Sequence, residues 1–247
     1  MSAATTPDGD ARIRLLCLPF AGGGAGFFRA WRRLDDAPST EFVGIQLPGR
    51  ENLIRQPPAT SMTAAVDAVL PEIERELAEP GPVALFGHSS GAVIAFEVAR
   101  RLDHTAPGRV SRLFVSGSAA PWAGRPGRAT GLPDDEFIAA VQDFAGATHP
   151  ALAEPRLRGV LLPPLRADVE MHEAYLVPFG TATDVAITAV RGGDDTLITA
   201  AAAAEWAHAT TAGFESVELP GEHMYLNDRR RELAELVAAS VRSLRRG

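Results

Sequence analysis

The stretch PVALFGHSSGAVIAFEVARRL, residues 82–102, decides the fold. The apolar run VALFG (83–87) reads as a buried strand, and AVIAFEVARRL (92–102) has apolar residues at helical spacing. Between them lie Gly87, His88, Ser89, Ser90 and Gly91. A strand that becomes a helix over so few residues needs a tight corner. The residues two before and two after the corner then approach each other and must be small. Counted from Ser89 they are Gly87 and Gly91; counted from Ser90 they are His88 and Ala92, and an imidazole would clash. Ser89 is therefore the candidate nucleophile. Ser90 follows it, with its backbone N–H aimed at a developing oxyanion.

Working outward, short apolar runs alternate with helical patterns. Strands are expected at 13–20, 41–47, 83–87, 109–118, 184–193 and 215–221, and helices at 63–77, 92–102, 198–210 and 229–246. This rhythm implies an α/β fold with a mostly parallel sheet covered on both faces. It breaks at 121–183. There PWAGRPGRATGLP is followed by DDEFIAAVQDFAG (134–146), a helical pattern stopped by Gly146. RLRGVLLPPLRADVEMHEAYL comes next, helical but interrupted by Pro163-Pro164. The segment reads as a helical insertion over the C-terminal edge of the sheet, where such folds bind ligands. The expected organisation is a tail at 1–12, a core of 13–120 and 184–247, and a lid at 121–183.

A serine hydroxyl is a weak nucleophile at neutral pH; it needs an imidazole to take its proton and a carboxylate to orient that imidazole. In folds with this elbow the chain order is Ser, acid, His. Of six histidines, His88 adjoins Ser89 but diverges from it as a strand neighbour. His104, His149, His172 and His208 fall in other loops or helical patterns. His223, in LPGEHMYLND between the last strand and the last helix, is placed to serve as the base. The acid should follow the strand DVAITAV, where Asp194 and Asp195 stand. Asp195 is preferred because it lies one step further round the turn begun at Gly192-Gly193, which leaves Asp194 to cap a helix or face solvent. Glycine-rich backbone in LCLPFAGGGAGFF (16–28) follows the first strand and can supply a second oxyanion donor. It lacks the spacing of a dinucleotide fingerprint or a phosphate loop, so nucleotide binding is discounted.

The totals narrow the field further. The 247 residues are 46% hydrophobic and 22% charged, a globular composition. There is no apolar run long enough for a membrane span, and the N-terminal MSAATTPDGDARIR, which carries acids and lacks an apolar segment, is not expected to be a secretory signal. The net charge of −7, with every basic residue an arginine, argues against general nucleic-acid binding. The lone Cys17, inside IRLLCLPF, reads as a buried strand residue.

Several motifs in order carry a family resemblance: LPFAGGGAGFFRAW (18–31), QLPGREN (46–52), GHSSGAVIAFEVARRL (87–102), LFVSGSAAP (113–121), PLRADVEMHEAY (164–175), GGDD (192–195) and LPGEHMYLND (219–228). Together they resemble type II thioesterases, the stand-alone α/β-hydrolases of polyketide synthase and nonribosomal peptide synthetase pathways. The family elbow is usually Gly-His-Ser-Met-Gly; here Ser90 stands in place of the Met, so the backbone N–H survives and the side chain beside the pocket is small and polar. The resemblance implies Ser89 as nucleophile, Asp195 as acid and His223 as base, with the N–H groups of Ala21 and Ser90 as the oxyanion hole. It also implies a mobile lid and an acyl substrate borne on the phosphopantetheine of an acyl or peptidyl carrier protein. No cofactor or metal of the enzyme's own is expected, and a cytoplasmic monomer is. Arg125, Arg128, Arg156, Arg158 and Arg166 are candidates for meeting the carrier. The rival readings are a serine esterase or acyltransferase on the same triad, and a non-catalytic binding module.

Overall fold

The structure, a computed structural model, describes residues 12–33, 40–124, 128–145 and 150–244. Six strands form one sheet: β1 (Ile13–Leu18), β2 (Thr40–Gly44), β3 (Val83–His88), β4 (Val110–Ser116), β5 (Ile187–Gly192) and β6 (Phe214–Leu219). Their order is β2-β1-β3-β4-β5-β6, and every neighbouring pair is parallel. From β1 the chain first moves outward to β2 and then returns to pair β3 on the other side. Loops leaving β1 and β3 therefore diverge, which opens a crevice at the carboxyl ends of these two strands.

The central strands are buried on both faces and alternate between two cores. On one face Leu16, Leu18 and Leu85 pack against α1 (Met62–Ala78) and α2 (Ser90–Thr105). On the other, Leu15, Cys17, Ala84 and Phe86 pack against α6 (Arg230–Leu244) and the aromatic pair Phe28 and Trp31. Cys17 is fully buried, as its apolar neighbours imply, and burial raises its thiol well above the ordinary range.

Between β4 and β5 lie α3 (Asp134–Ala145), a short 3₁₀ turn, and α4 (Pro155–Ala174). They enclose a small core of their own, including Phe137, Leu152, Leu162, Leu165 and Val169. Three features differ from the sequence reading. First, α4 runs unbroken through Pro163-Pro164. The two prolines deprive the carbonyls of Gly159 and Val160 of amide partners, but both residues are exposed and water can serve instead. Second, the helix expected at 198–210 is a five-residue α5 (Ala200–Ala204) followed by a 3₁₀ turn (Glu205–Ala209), in which fully buried Trp206 donates its Nε1–H to the Ser118 carbonyl at 2.8 Å. Third, β1, β2, β4 and β5 are each shorter than expected. Residues 1–11 of the N-terminal tail, Arg125, Gly146 and His149 lie outside the described residues.

Candidate active site

Ser89 occupies the corner between β3 and α2 with φ 54 and ψ −120, a conformation that non-glycine residues rarely hold. Its N–H is fixed to the Ser116 carbonyl at 2.8 Å. A Cβ on Gly87 would lie 2.0 Å from the Gly91 carbonyl oxygen, and one on Gly91 would lie 2.4 Å from those of Leu18 and Pro19. The corner therefore admits only glycine at both flanks. Ser89 is half-buried and lines a cleft.

Asp195 and His223 come from the loops after β5 and β6, and both are buried. His223 Nδ1 and Asp195 Oδ2 are 2.9 Å apart. Burial by itself would raise the Asp195 carboxyl, but its hydrogen bond and attraction to His223, together with the amides of Ile198 and Leu197, hold it below the ordinary aspartate value. The carboxylate is thus ionised and accepts from the imidazole Nδ1–H, an arrangement that in the neutral ring leaves Nε2 as the acceptor. Asp195 Oδ1 accepts the amides of Leu197 at 2.8 Å and Ile198 at 3.0 Å. Neither aspartate caps α5: Thr199 does, its Oγ1 accepting the Ala202 amide at 3.1 Å, and Asp194 is exposed. Among the described hydrogen bonds, none joins Ser89 Oγ to His223.

His88 is the residue whose place the sequence obscured. It is fully buried, and its ring centroid is 5.0 Å from that of His223. Its Nδ1 shares a hydrogen bond with Ser116 Oγ at 2.8 Å, and Ser116 Oγ is 2.6 Å from Tyr225 Oη. His88 Nε2 is buried without a partner. Burial first, and the neighbouring His223 second, hold the imidazole well below its ordinary value. A neutral ring thus underlies the candidate base.

The backbone donors named from the sequence lie at two loops. Ser90 is the first residue of α2, where amide groups have no intrahelical acceptor and the helix dipole favours negative charge. Ala21 is the second residue of a turn closed by Gly23 N–H on the Phe20 carbonyl at 2.8 Å. The closing bond of such a turn does not use the second residue's N–H.

The cleft beside Ser89 is lined mainly by small or apolar residues, among them Val93, Ala119, Ala120, Leu197 and Ile198, with His172 of α4 and Tyr175 just beyond its end. These last two were missed by the sequence reading; Tyr175 donates its hydroxyl to Glu97. Burial and then Glu97 raise that hydroxyl above the ordinary tyrosine range. Of the five arginines singled out, Arg158 pairs with Asp135 at 2.5 Å. Arg166 pairs with Asp134 at 2.8 Å and lies 4.2 Å from the Phe137 ring centroid. Arg128 donates to the Glu173 carbonyl at 3.2 Å, and Arg156 is exposed. Among the described residues no cluster of three or more His, Cys, Asp or Glu is arranged to hold a metal. Among them, too, no helix is long and apolar enough to cross a membrane.

The thioesterase domain family model matches residues 13–241. The chain belongs to the thioesterase family. This thioesterase is 33% identical over 233 residues to the gramicidin S biosynthesis protein GrsT of Aneurinibacillus migulanus, with 94% of this chain and 90% of that protein covered. It is 34% identical to thioesterase PikA5 of Streptomyces venezuelae, covering 92% and 80% of the two chains. The solved structure of the type II thioesterase BorB, from the borrelidin biosynthetic cluster, superposes with a TM-score of 0.79 at 29% identity, covering 96% and 93%. The fold is that of the α/β-hydrolases, as the resemblance implied, and the type II thioesterases are among its relatives.

Proposed function

We propose that this thioesterase hydrolyses acyl thioesters borne on phosphopantetheinyl carrier proteins, through an acyl-enzyme on Ser89, and so clears aberrant or stalled acyl groups from a polyketide or nonribosomal peptide synthase. The observation that carries the reading is the buried 2.9 Å Asp195–His223 hydrogen bond at the sheet edge that also presents Ser89 on its strained corner. With the proton of the neutral ring held on Nδ1 by that bond, His223 Nε2 takes the Ser89 proton as Oγ attacks the thioester carbonyl. A small rotation of the hydroxyl or closure on substrate brings the two into reach, since such bonds often tighten only in the substrate complex. The amides of Ala21 and Ser90 receive the oxyanion, each worth roughly 3 kcal/mol of barrier in comparable sites. The thiol leaves with the proton from His223, and water activated by the same imidazole releases the acid.

The segment 121–183 acts as the lid over the acyl cleft, to which it contributes His172 and Tyr175. Arg156, exposed on α4, is available to an acidic carrier. Support for the partner comes from the relatives named for gramicidin S and borrelidin biosynthesis. The test is turnover of acyl-loaded carrier protein against the matching oxygen ester. Ser89→Ala should lower thioester turnover by at least about 10³-fold while the fold persists. Undiminished turnover would overturn the nucleophile, and faster cleavage of the oxygen ester would overturn the substrate class.

A further inference from the structure

The motifs Gln46-to-Asn52 and Pro164-to-Tyr175 contribute neither nucleophile, acid nor base, yet they meet at one point. Asp168 of α4 and Arg50 are 2% and 6% exposed, and they form a forked pair: Nη1 to Oδ2 at 2.5 Å and Nη2 to Oδ1 at 2.9 Å. The same Oδ2 accepts the Gly22 N–H at 2.8 Å. Arg50 Nη1 also donates to the Gly23 carbonyl at 3.1 Å, and Nε to the Pro48 carbonyl at 3.2 Å. The N–H that enters the Gly22-Gly23 dipeptide and the C=O that leaves it are thus both gripped by a buried pair drawn from two distant segments.

That dipeptide completes the turn whose second residue is Ala21. Gly22 has φ +74, and a Cβ there would lie 3.0 Å from Leu165 Cδ1, so α4 packs directly on the turn. Next along the chain, Glu51 accepts the Gly26 N–H at 3.0 Å. Four residues of glycine and alanine have few side-chain contacts of their own to fix them; every polar anchor just described reaches in from outside the loop.

We propose that Asp168 and Arg50 are positioning residues for the oxyanion hole: their pair holds the Phe20–Gly23 turn so that the Ala21 N–H meets the developing charge. The inference rests on the thioester-hydrolysis reading. Neither side chain touches the reacting atoms. A forked, charge-assisted pair fixes direction as well as distance, and oxyanion donors act only when held in place before the charge forms.

The experiment uses the full chain with an acyl-carrier thioester, alongside a trifluoromethyl ketone that adds Ser89 and mimics the oxyanion. Asp168→Asn keeps the size and one acceptor but loses the ionic fork. It should lower kcat by roughly 10- to 100-fold, leave KM within about twofold, and weaken the ketone by the same factor as kcat. Near-ultraviolet circular dichroism and Tm establish that the variant is folded. Arg50→Lys, which keeps the charge and loses the fork, carries the same expectation should Asp168→Asn not fold. Unchanged kcat in a folded variant, or a kcat loss with ketone affinity intact, would overturn the proposal. A wild-type chain that cleaves no thioester sinks the underlying reading instead, so the two failures are distinguishable.

Discussion

The catalytic corner and the helical segment above it solve the same problem, holding polar groups still, by different means. At the corner the backbone does the work. Ser89 is held in a rare conformation by glycines that admit no side chain and by its amide bond to β4. Over the cleft, α4 is held by buried side-chain acids. Asp168 grips the glycine turn, and Glu173 accepts the amides of Ala129 and Thr130 at 2.8 and 2.9 Å. Only the C-terminal half of α4 is tied down in this way. Its N-terminal half carries exposed Leu157 and Val160, at 49% and 46%, and the Arg158 pair reaches a nearly fully exposed Asp135. Such surface pairs contribute little. One helix therefore has a fixed end beside the glycine turn and a more exposed end away from it, and Pro163-Pro164, which offer no amide to the Gly159 and Val160 carbonyls, mark the division.

The largest effect separating the two regions is expected at Asp195. Asp195→Asn preserves size and the acceptor for the Leu197 and Ile198 amides but removes the charge that sets the imidazole tautomer. It should lower kcat on the order of 10⁴-fold with little change in Tm, as steady-state kinetics and thermal melts would show. A comparable fall in Tm would mean that the corner, like α4, depends on side-chain acids for its fold.

Glu173→Ala should do the reverse. The buried Ala129 amide and the partly buried Thr130 amide lose their acceptor, a cost of roughly 2 kcal/mol, read as a lower urea midpoint, while kcat at saturating substrate changes less than tenfold. A catalytic loss without destabilisation would place Glu173 with the chemistry.

The smallest effect is at His88. Its folded-state value is depressed, so below about pH 6.5 the unfolded chain takes up a proton that the native imidazole refuses. Its contribution is present above that pH and is lost as the pH falls, at up to about 1.4 kcal/mol per pH unit. Urea unfolding between pH 7 and 5 should show this slope in the wild type and a shallower one in His88→Gln. Equal slopes would show that His88 protonates freely in the fold and does not stay neutral beneath His223.

Much of this was legible in the chain. The order of strands and helices and the seat of Ser89 at the strained corner follow from periodicity and local sterics, and the chain order expected of such a fold points to the loops where Asp195 and His223 meet. The chain could not disclose contacts that join distant segments. Nothing near Asp168 in sequence announces Arg50, 118 positions away. The glycine run after β1 was read for its open backbone, yet a side chain at Gly24 or Gly26 would also meet the Glu51 carboxylate and turn it aside. His172 and Tyr175 face the cleft because α4 continues through two prolines, which local propensity disfavours and tertiary packing permits. His88 was set aside because its side chain diverges from Ser89; the same divergence directs it beneath the base.

The dependence of the glycine turn on Asp168 and Arg50 bears on how this protein can be recombined with its relatives. A chimera exchanging the acyl-cleft cover would naturally be cut between β4 and β5, and such a graft would import one member of the pair while leaving the other behind. The exchangeable cassette is therefore not contiguous: residues 20–26, 50–51 and 168 have to travel together, or specificity will be transplanted at the expense of turnover.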